Sequence, residues 1–211
     1  MINFYFIRHG QTFANQKGIK QGAINSPMTY LSPEGKKQIY ILSKNLNISF
    51  ANKIFASPLH RTKETVSILN KNINLPVYYD KRLIEISYGN WDGKKNKKLE
   101  KKHFNLFDHY LHDVVPKYFS IAQGETFQNV YYRVQRFMID VTRNEKNDNE
   151  KIIVITHGFV IKAAFFVALR TSKNMNSIPE PENASVTKII KSKGHDKYYL
   201  GYFNRPGSQS F

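Results

Sequence analysis

With 211 residues, 41% of them hydrophobic and 14% aromatic, the chain is long enough to bury one sizeable core and too short for two comfortable domains. It has no cysteine, which removes disulfides, thiolate metal sites and cysteine nucleophiles together and suits a reducing cytoplasm. A formal charge of +16, from 32 Lys and Arg against 16 Asp and Glu, steers anions toward the surface but says little about fold or partner.

The first element is the apolar run Phe4-Tyr5-Phe6-Ile7, which meets Arg8 almost at once. It is too short for a secretory core and reads as a first strand. Its junction is Arg8-His9-Gly10-Gln11-Thr12. Ser32-Pro33-Glu34 then supplies an N-cap, a proline at the first helical position and an acid in the first turn. Ile39, Leu42 and Leu46 recur behind it at helical spacing. A second strand, Lys53-Ile54-Phe55-Ala56, is followed by Ser57-Pro58-Leu59-His60-Arg61 and a helix with Val66 and Leu69 on one side. Residues 94–102 are rich in lysine and lead into Phe104, Phe107, Tyr110 and Leu111, which predicts a small helical insertion spanning about 94–123. Thr126 is placed to cap a long helix with Val130, Val134, Phe137 and Val141 in one stripe. The third strand, Ile152-Ile153-Val154-Ile155, runs into Thr156-His157-Gly158 and a helix over 160–169 that is apolar nearly all round. Residues 184–191 and 198–203 predict two closing strands joined by a turn over 192–196, and 206–211 predicts a frayed end.

Strands of β-branched and aromatic residues alternating with helices predict an α/β fold. The expected architecture is a three-layer sandwich: a mostly parallel central sheet, helices on both faces, and the insertion over the active-site end. Residues 1–211 are expected to form a single domain. No apolar run is long enough to span a bilayer, so no membrane partner is expected, and the lack of cysteine goes with an expected cytoplasmic location.

Ligands of open α/β sheets bind beyond the carboxyl ends of the strands. The three junctions place Arg8 with His9, Arg61, and His157 at such ends, each leading into a helix whose dipole favours an anion. Two guanidiniums and two imidazoles together complement a phosphoryl group. Neighbouring cations depress an imidazole pKa and free its lone pair, which makes His9 the natural nucleophile in a chain without cysteine. Glu85, among apolar and aromatic neighbours, is the chosen proton donor for the leaving oxygen. Each residue also has a duller account. A lone histidine is usually structural, Arg61 could pair with Glu64 three residues on, and Glu85 could be an ordinary surface acid.

Arg8-His9-Gly10-Gln11-Thr12 with Asn15 resembles the signature of the histidine phosphatase superfamily, the phosphoglycerate-mutase-like proteins. Gln21-Gly22, Ser26-Pro27-Met28-Thr29, Ser57-Pro58-Leu59-His60-Arg61-Thr62, the segment from Leu83 through Glu85 to Gly93, Gly124-Glu125-Thr126 and Thr156-His157-Gly158 follow in the family's order. The resemblance implies that His9 becomes phosphorylated, that His157 contacts the transferring group and that Arg8 and Arg61 clamp its oxygens. It also implies that Glu85 donates the proton, that Asn15, Gln21, Gly22 and Gly158 complete the phosphate-binding set, and that neither metal nor organic cofactor is needed. Gln11 and Asn25 stand where many members carry Glu and Asp. The segment around Ser87-Tyr88-Gly89 looks like the phosphatase branch, so hydrolysis of a small phosphorylated metabolite is the leading function and mutase-type transfer the alternative. A non-catalytic binder of polyanions such as RNA is a second alternative. No RNA-binding motif accompanies the lysines, so no specific nucleic-acid partner is expected. A metal site on His9 and His157 is disfavoured by the flanking arginines.

Overall fold

The computed structural model describes residues 1–144, 149–192, 195 and 197–211. Strands β1 (Ile2–Arg8), β2 (Lys53–Ala56), β3 (Val77–Tyr79), β4 (Glu150–Thr156), β5 (Val186–Lys191) and β6 (Tyr198–Arg205) form one sheet in the order β3-β2-β4-β1-β5-β6. The first four in that order run parallel, and β5 is antiparallel to both of its neighbours. The helices are α1 (Phe13–Gln16), α2 (Pro33–Asn45), α3 (His60–Leu69), α4 (Asn96–Lys102), α5 (Phe119–Ala122), α6 (Phe127–Asn144) and α7 (Gly158–Ala168).

The period of two along each inner strand sends alternate residues to opposite layers. Phe4, Phe6, Ile152 and Val154 pack with Val134 and Phe137 of α6 and Phe159 and Ala163 of α7. Ile7, Ile54, Ile153 and Ile155 pack instead with Ile39 and Leu42 of α2 and Val66 and Leu69 of α3. The result is the three-layer α/β arrangement expected from the strand and helix pattern.

The predicted caps are present: Ser32 Oγ accepts from Gly35 N at 3.1 Å, and Thr126 Oγ1 from Asn129 N at 3.1 Å. Strand β3, unmarked in the sequence, is three residues at the sheet edge, with Tyr78 and Tyr79 exposed. The lysine-rich run is mostly an exposed face of α4, with Leu99 buried beneath it. The turn expected over 192–196 falls partly outside the described residues, since 193, 194 and 196 are not among them. The tail departs from expectation. Gly207 is buried, its carbonyl accepts from Asn45 Nδ2 at 3.0 Å, and Phe211 lies 6.1 Å from the Tyr202 ring, so apolar and polar contacts hold a segment expected to fray.

Candidate active site

Strand register brings the three junctions together. Arg8 sits opposite Thr156 and Ala56 opposite Ile155. The pairing continues one residue further, with His9 N donating to Thr156 O at 3.1 Å and Ser57 N to Ile155 O at 3.0 Å. His9, Ser57 and His157 therefore emerge side by side at the carboxyl ends of β1, β2 and β4. Thr156 Oγ1 donates to Leu83 O at 2.7 Å, which ties the segment carrying Glu85 to the same edge.

His9 is buried, and its Nδ1 lies 2.8 Å from Gly10 O. A carbonyl only accepts, so Nδ1 carries the proton and Nε2 keeps a lone pair. Burial, then Arg61 and Arg8, hold its pKa well below the usual histidine value, so the ring is neutral at physiological pH. The His157 ring stands 5.2 Å away, edge-on. Its Nδ1 accepts from Arg61 Nε at 3.2 Å, which puts the proton on Nε2, 2.8 Å from Ser57 Oγ. Burial, followed by Arg61 and His9, keeps this imidazole neutral too.

Arg61, fully buried, donates from Nη1 to Ile24 O at 3.0 Å and from Nη2 to Gly22 O at 2.8 Å. Burial pushes its pKa down to about 10, which still leaves it cationic near neutrality. It does not pair with Glu64, which instead faces Lys36 and His60. Gly22 has φ +49°, and a Cβ there would lie 1.8 Å from Asp92 Oδ1. That carboxylate accepts from Tyr88 N at 2.9 Å and so links the Gly22 loop to the Glu85 segment. Asn25 Oδ1 accepts from His60 N at 2.9 Å, at the first residue of α3.

Arg8 pairs through Nη2 with Glu180 Oε2 at 3.1 Å and donates from Nη1 to Pro181 O. Its buried Nε has no partner. Gly158 lets this pair approach α7: a Cβ there would sit 2.1 Å from Glu180 Oε2 and 3.0 Å from Arg8 Cζ. Glu85 is buried, its oxygens accepting from Ile86 N at 3.0 Å and Phe159 N at 3.4 Å. Burial first, and then the Glu180 carboxylate, raise its pKa to about 7, against the pull of Arg8 and Arg61. It is no ordinary surface acid.

Thr12 caps α1, its Oγ1 accepting from Asn15 N at 3.0 Å, while Asn15 Oδ1 accepts from Thr12 N at 3.1 Å. Because an amide nitrogen cannot accept, this orients Asn15 and leaves its NH2 as a donor. Thr12 Oγ1 also reaches Gln21 Oε1 at 2.9 Å. Arg8, His9, Asn15, Gln21, Gly22, Arg61 and Glu85 line one cavity of about 330 Å³. His157 and Gly158 stand outside that wall, the first against His9 and Arg61, the second beneath Arg8. Among the described residues no group of three or more His, Cys, Asp or Glu could hold a metal ion.

Residues 4–203 match the family model for the histidine phosphatase superfamily (branch 1). The chain belongs to the histidine phosphatase superfamily. It is 28% identical over 169 residues to phosphoserine phosphatase 1 of Hydrogenobacter thermophilus, covering 80% of this chain and 77% of that one. It is 24% identical over 163 residues to the adenosylcobalamin/alpha-ribazole phosphatase of Escherichia coli, covering 76% and 75%. Among solved structures, Bacillus stearothermophilus YhfR superposes with a TM-score of 0.83 at 26% identity, covering 97% of this chain and 98% of that one. As a histidine phosphatase superfamily member the chain is a phosphohydrolase-type enzyme that acts on a phosphorylated substrate. Among the described residues no helix is long and apolar enough to cross a membrane.

Sequence reading did not single out Ser57 as the partner of His157, nor Glu180, Lys20, Asp113 and Lys162. Glu180 and Asp113 come from loops without a motif. Lys162 had a usable signal: a lone charge in a helix expected to be buried requires a partner.

Proposed function

We propose that this histidine phosphatase superfamily member hydrolyses a phosphomonoester through a covalent phosphohistidine on His9. The observation that carries the reading is the fixed tautomer of His9. With Nδ1–H committed to Gly10 O, Nε2 is the free nucleophile in a cavity that also holds Arg8, Arg61 and Glu85. In the first step Nε2 attacks phosphorus, the P–O ester bond breaks, and the leaving oxygen takes the proton of Glu85. In the second, water attacks the same phosphorus, gives a proton to Glu85, and the P–N bond breaks to release phosphate and restore the His9 lone pair. A Glu85 pKa near 7 suits both roles, since donor and acceptor forms are each populated close to neutrality.

Charge on the phosphoryl oxygens is met by Arg61, held by three fixed acceptors, and by Arg8, whose unpartnered Nε is supplied with an acceptor when an anion binds. To act as a further donor for those oxygens, His157 Nε2–H has to leave Ser57 Oγ and turn into the cavity, whose wall the Asn15 and Gln21 amides already line. The two phosphatase-named relatives support water, rather than a second alcohol, as the final acceptor. The absence of cysteine favours a cytoplasmic location for this work. Turnover of p-nitrophenyl phosphate by the wild type and its loss in His9→Ala is the expected result; equal turnover by both proteins contradicts the reading.

A further inference from the structure

A second cavity lies at the other end of α2 from the His9 site. Register sets Tyr5 on β1 opposite Lys188 on β5, and Lys188 opposite Tyr202 on β6. The two tyrosines pack against the core layer that α2 covers, and all three side chains border a cavity of about 400 Å³. The end of α2, Phe50, Arg205 and Phe211 close its other sides. Helix α2 begins beside the His9 junction, where Ser32 N donates to Gln11 O at 2.9 Å, and it runs for 13 residues. At 1.5 Å per residue the two cavities stand roughly 20 Å apart.

Four aromatic rings line this cavity in two pairs, Tyr5 with Phe50 at 4.9 Å and Tyr202 with Phe211 at 6.1 Å. None is fully buried, so ring surface that the fold has not covered is gathered in one concave place. Lys188 Nζ stands 5.1 Å from the Tyr5 ring centre, and Arg205 Cζ 4.8 Å from that of Phe211. Lys44 is the third cation of the wall. No Asp or Glu lines the cavity, and among the described residues none forms an ion pair with Lys44, Lys188 or Arg205. Two amides complete the wall. Asn45 spends Nδ2 on Gly207 O and Asn47 spends Oδ1 on Ser49 N, which leaves an amide oxygen on the first and an NH2 on the second.

Rings alone would accept any flat apolar molecule, and cations alone any anion. Their combination, without a carboxylate, selects a planar ligand that carries several negative charges. A free acceptor and a free donor suit the edge of a base. Three cations match a diphosphate better than a single phosphate, and the volume falls within the ~300–1,000 Å³ of small-ligand pockets. We propose that this cavity binds a nucleoside diphosphate, its base stacked on the aromatic rings and its phosphates held by Lys188, Arg205 and Lys44. The site is separate from the His9 cavity and does not depend on the reaction proposed there.

Calorimetric titration of the His9→Ala protein, which cannot turn ligands over through His9, tests this. ADP is expected to bind with one equivalent and about tenfold or more tighter than adenosine, which lacks the phosphates, or pyrophosphate, which lacks the base. Adding Lys188→Met or Tyr202→Leu is expected to weaken ADP by about tenfold. Adding Arg8→Met, in the other cavity, is expected to leave its affinity within about twofold. Three results overturn the proposal: no preference for ADP over its two halves, affinity unchanged by both groove substitutions, or affinity lost with Arg8→Met. The last would seat ADP in the His9 cavity. Lys188→Met and Tyr202→Leu lie on different strands, so either decides if the other fails to fold. In the otherwise wild-type chain, p-nitrophenyl phosphate turnover within about twofold of normal shows that a variant is folded.

Discussion

Replacing Glu85 by glutamine keeps the size and polarity of the side chain and removes its titration. The carboxyl ionises at about 7 in the folded protein against an ordinary 4.5, chiefly because it is buried and faces Glu180. The native state therefore favours the protonated form. Stability linked to this group is fully present below about pH 4.5 and is lost as pH rises through about 7. Raising the carboxyl from 4.5 to about 7 corresponds to about 3 kcal/mol, at ~1.4 kcal/mol per tenfold change in the ionisation constant. Glutamine accepts only one of the two amide bonds from Ile86 and Phe159, so its absolute stability has an offset. The difference between pH 8 and pH 4.5 is free of that offset. Denaturant melts at the two pH values should show Glu85→Gln gaining about 3 kcal/mol on the wild type at the higher pH. The same variant should lose ~10²–10⁴ in kcat/KM on an alkyl phosphomonoester, whose leaving oxygen needs a proton, and far less on p-nitrophenyl phosphate. A stability difference that does not change with pH, or equal losses on both esters, refutes the assignment of Glu85 as a buried acid.

Three further outcomes follow from the same geometry. Glu180→Gln removes a carboxylate that raises the Glu85 pKa and frees Arg8, which lowers it, so the alkaline limb of the kcat/KM profile should move to lower pH; a pH–rate series on an alkyl ester measures this. Gly22→Ala forces a Cβ against Asp92 at a positive φ and moves the carbonyl that holds Arg61, with an expected cost of about 2 kcal/mol or more in thermal melts and a fall in kcat. Asp113→Asn strips the shared counter-charge from Lys20 and Lys162 and should destabilise by about 2 kcal/mol or more, after discounting for the partial exposure of Asp113. Denaturation midpoints at neutral pH check it.

What could be read from the chain alone depended on how local the cause was. Strands β1, β2 and β4 are inner strands, and their apolar runs are dictated by burial on both faces, so they stood out. Strand β3 is two exposed tyrosines and a half-buried valine at an edge, held by pairing to β2, and no local pattern marks such a segment. His9 and His157 were legible because each follows directly on a strand, and Arg61 because it stands in the first turn of the helix that follows β2, where the residue pattern and the topology coincide. Glu180 and Asp113 were not, since they reach the site from loops through contacts with Arg8, Lys20 and Lys162 that only the fold creates. The tail misled for a related reason: glycine, serine and proline suggest fraying, but the burial of Gly207 against Leu42 is tertiary.

The central claim is the covalent bond to His9. Rapid acid-free quenching of a single turnover with ³²P-labelled p-nitrophenyl phosphate, followed by peptide mapping, measures it directly. A label that is stable to alkali, labile to acid, mapped to His9 and absent from His9→Ala is the predicted result. A catalytically active protein that carries no label, or one that carries it equally after His9→Ala, contradicts the account.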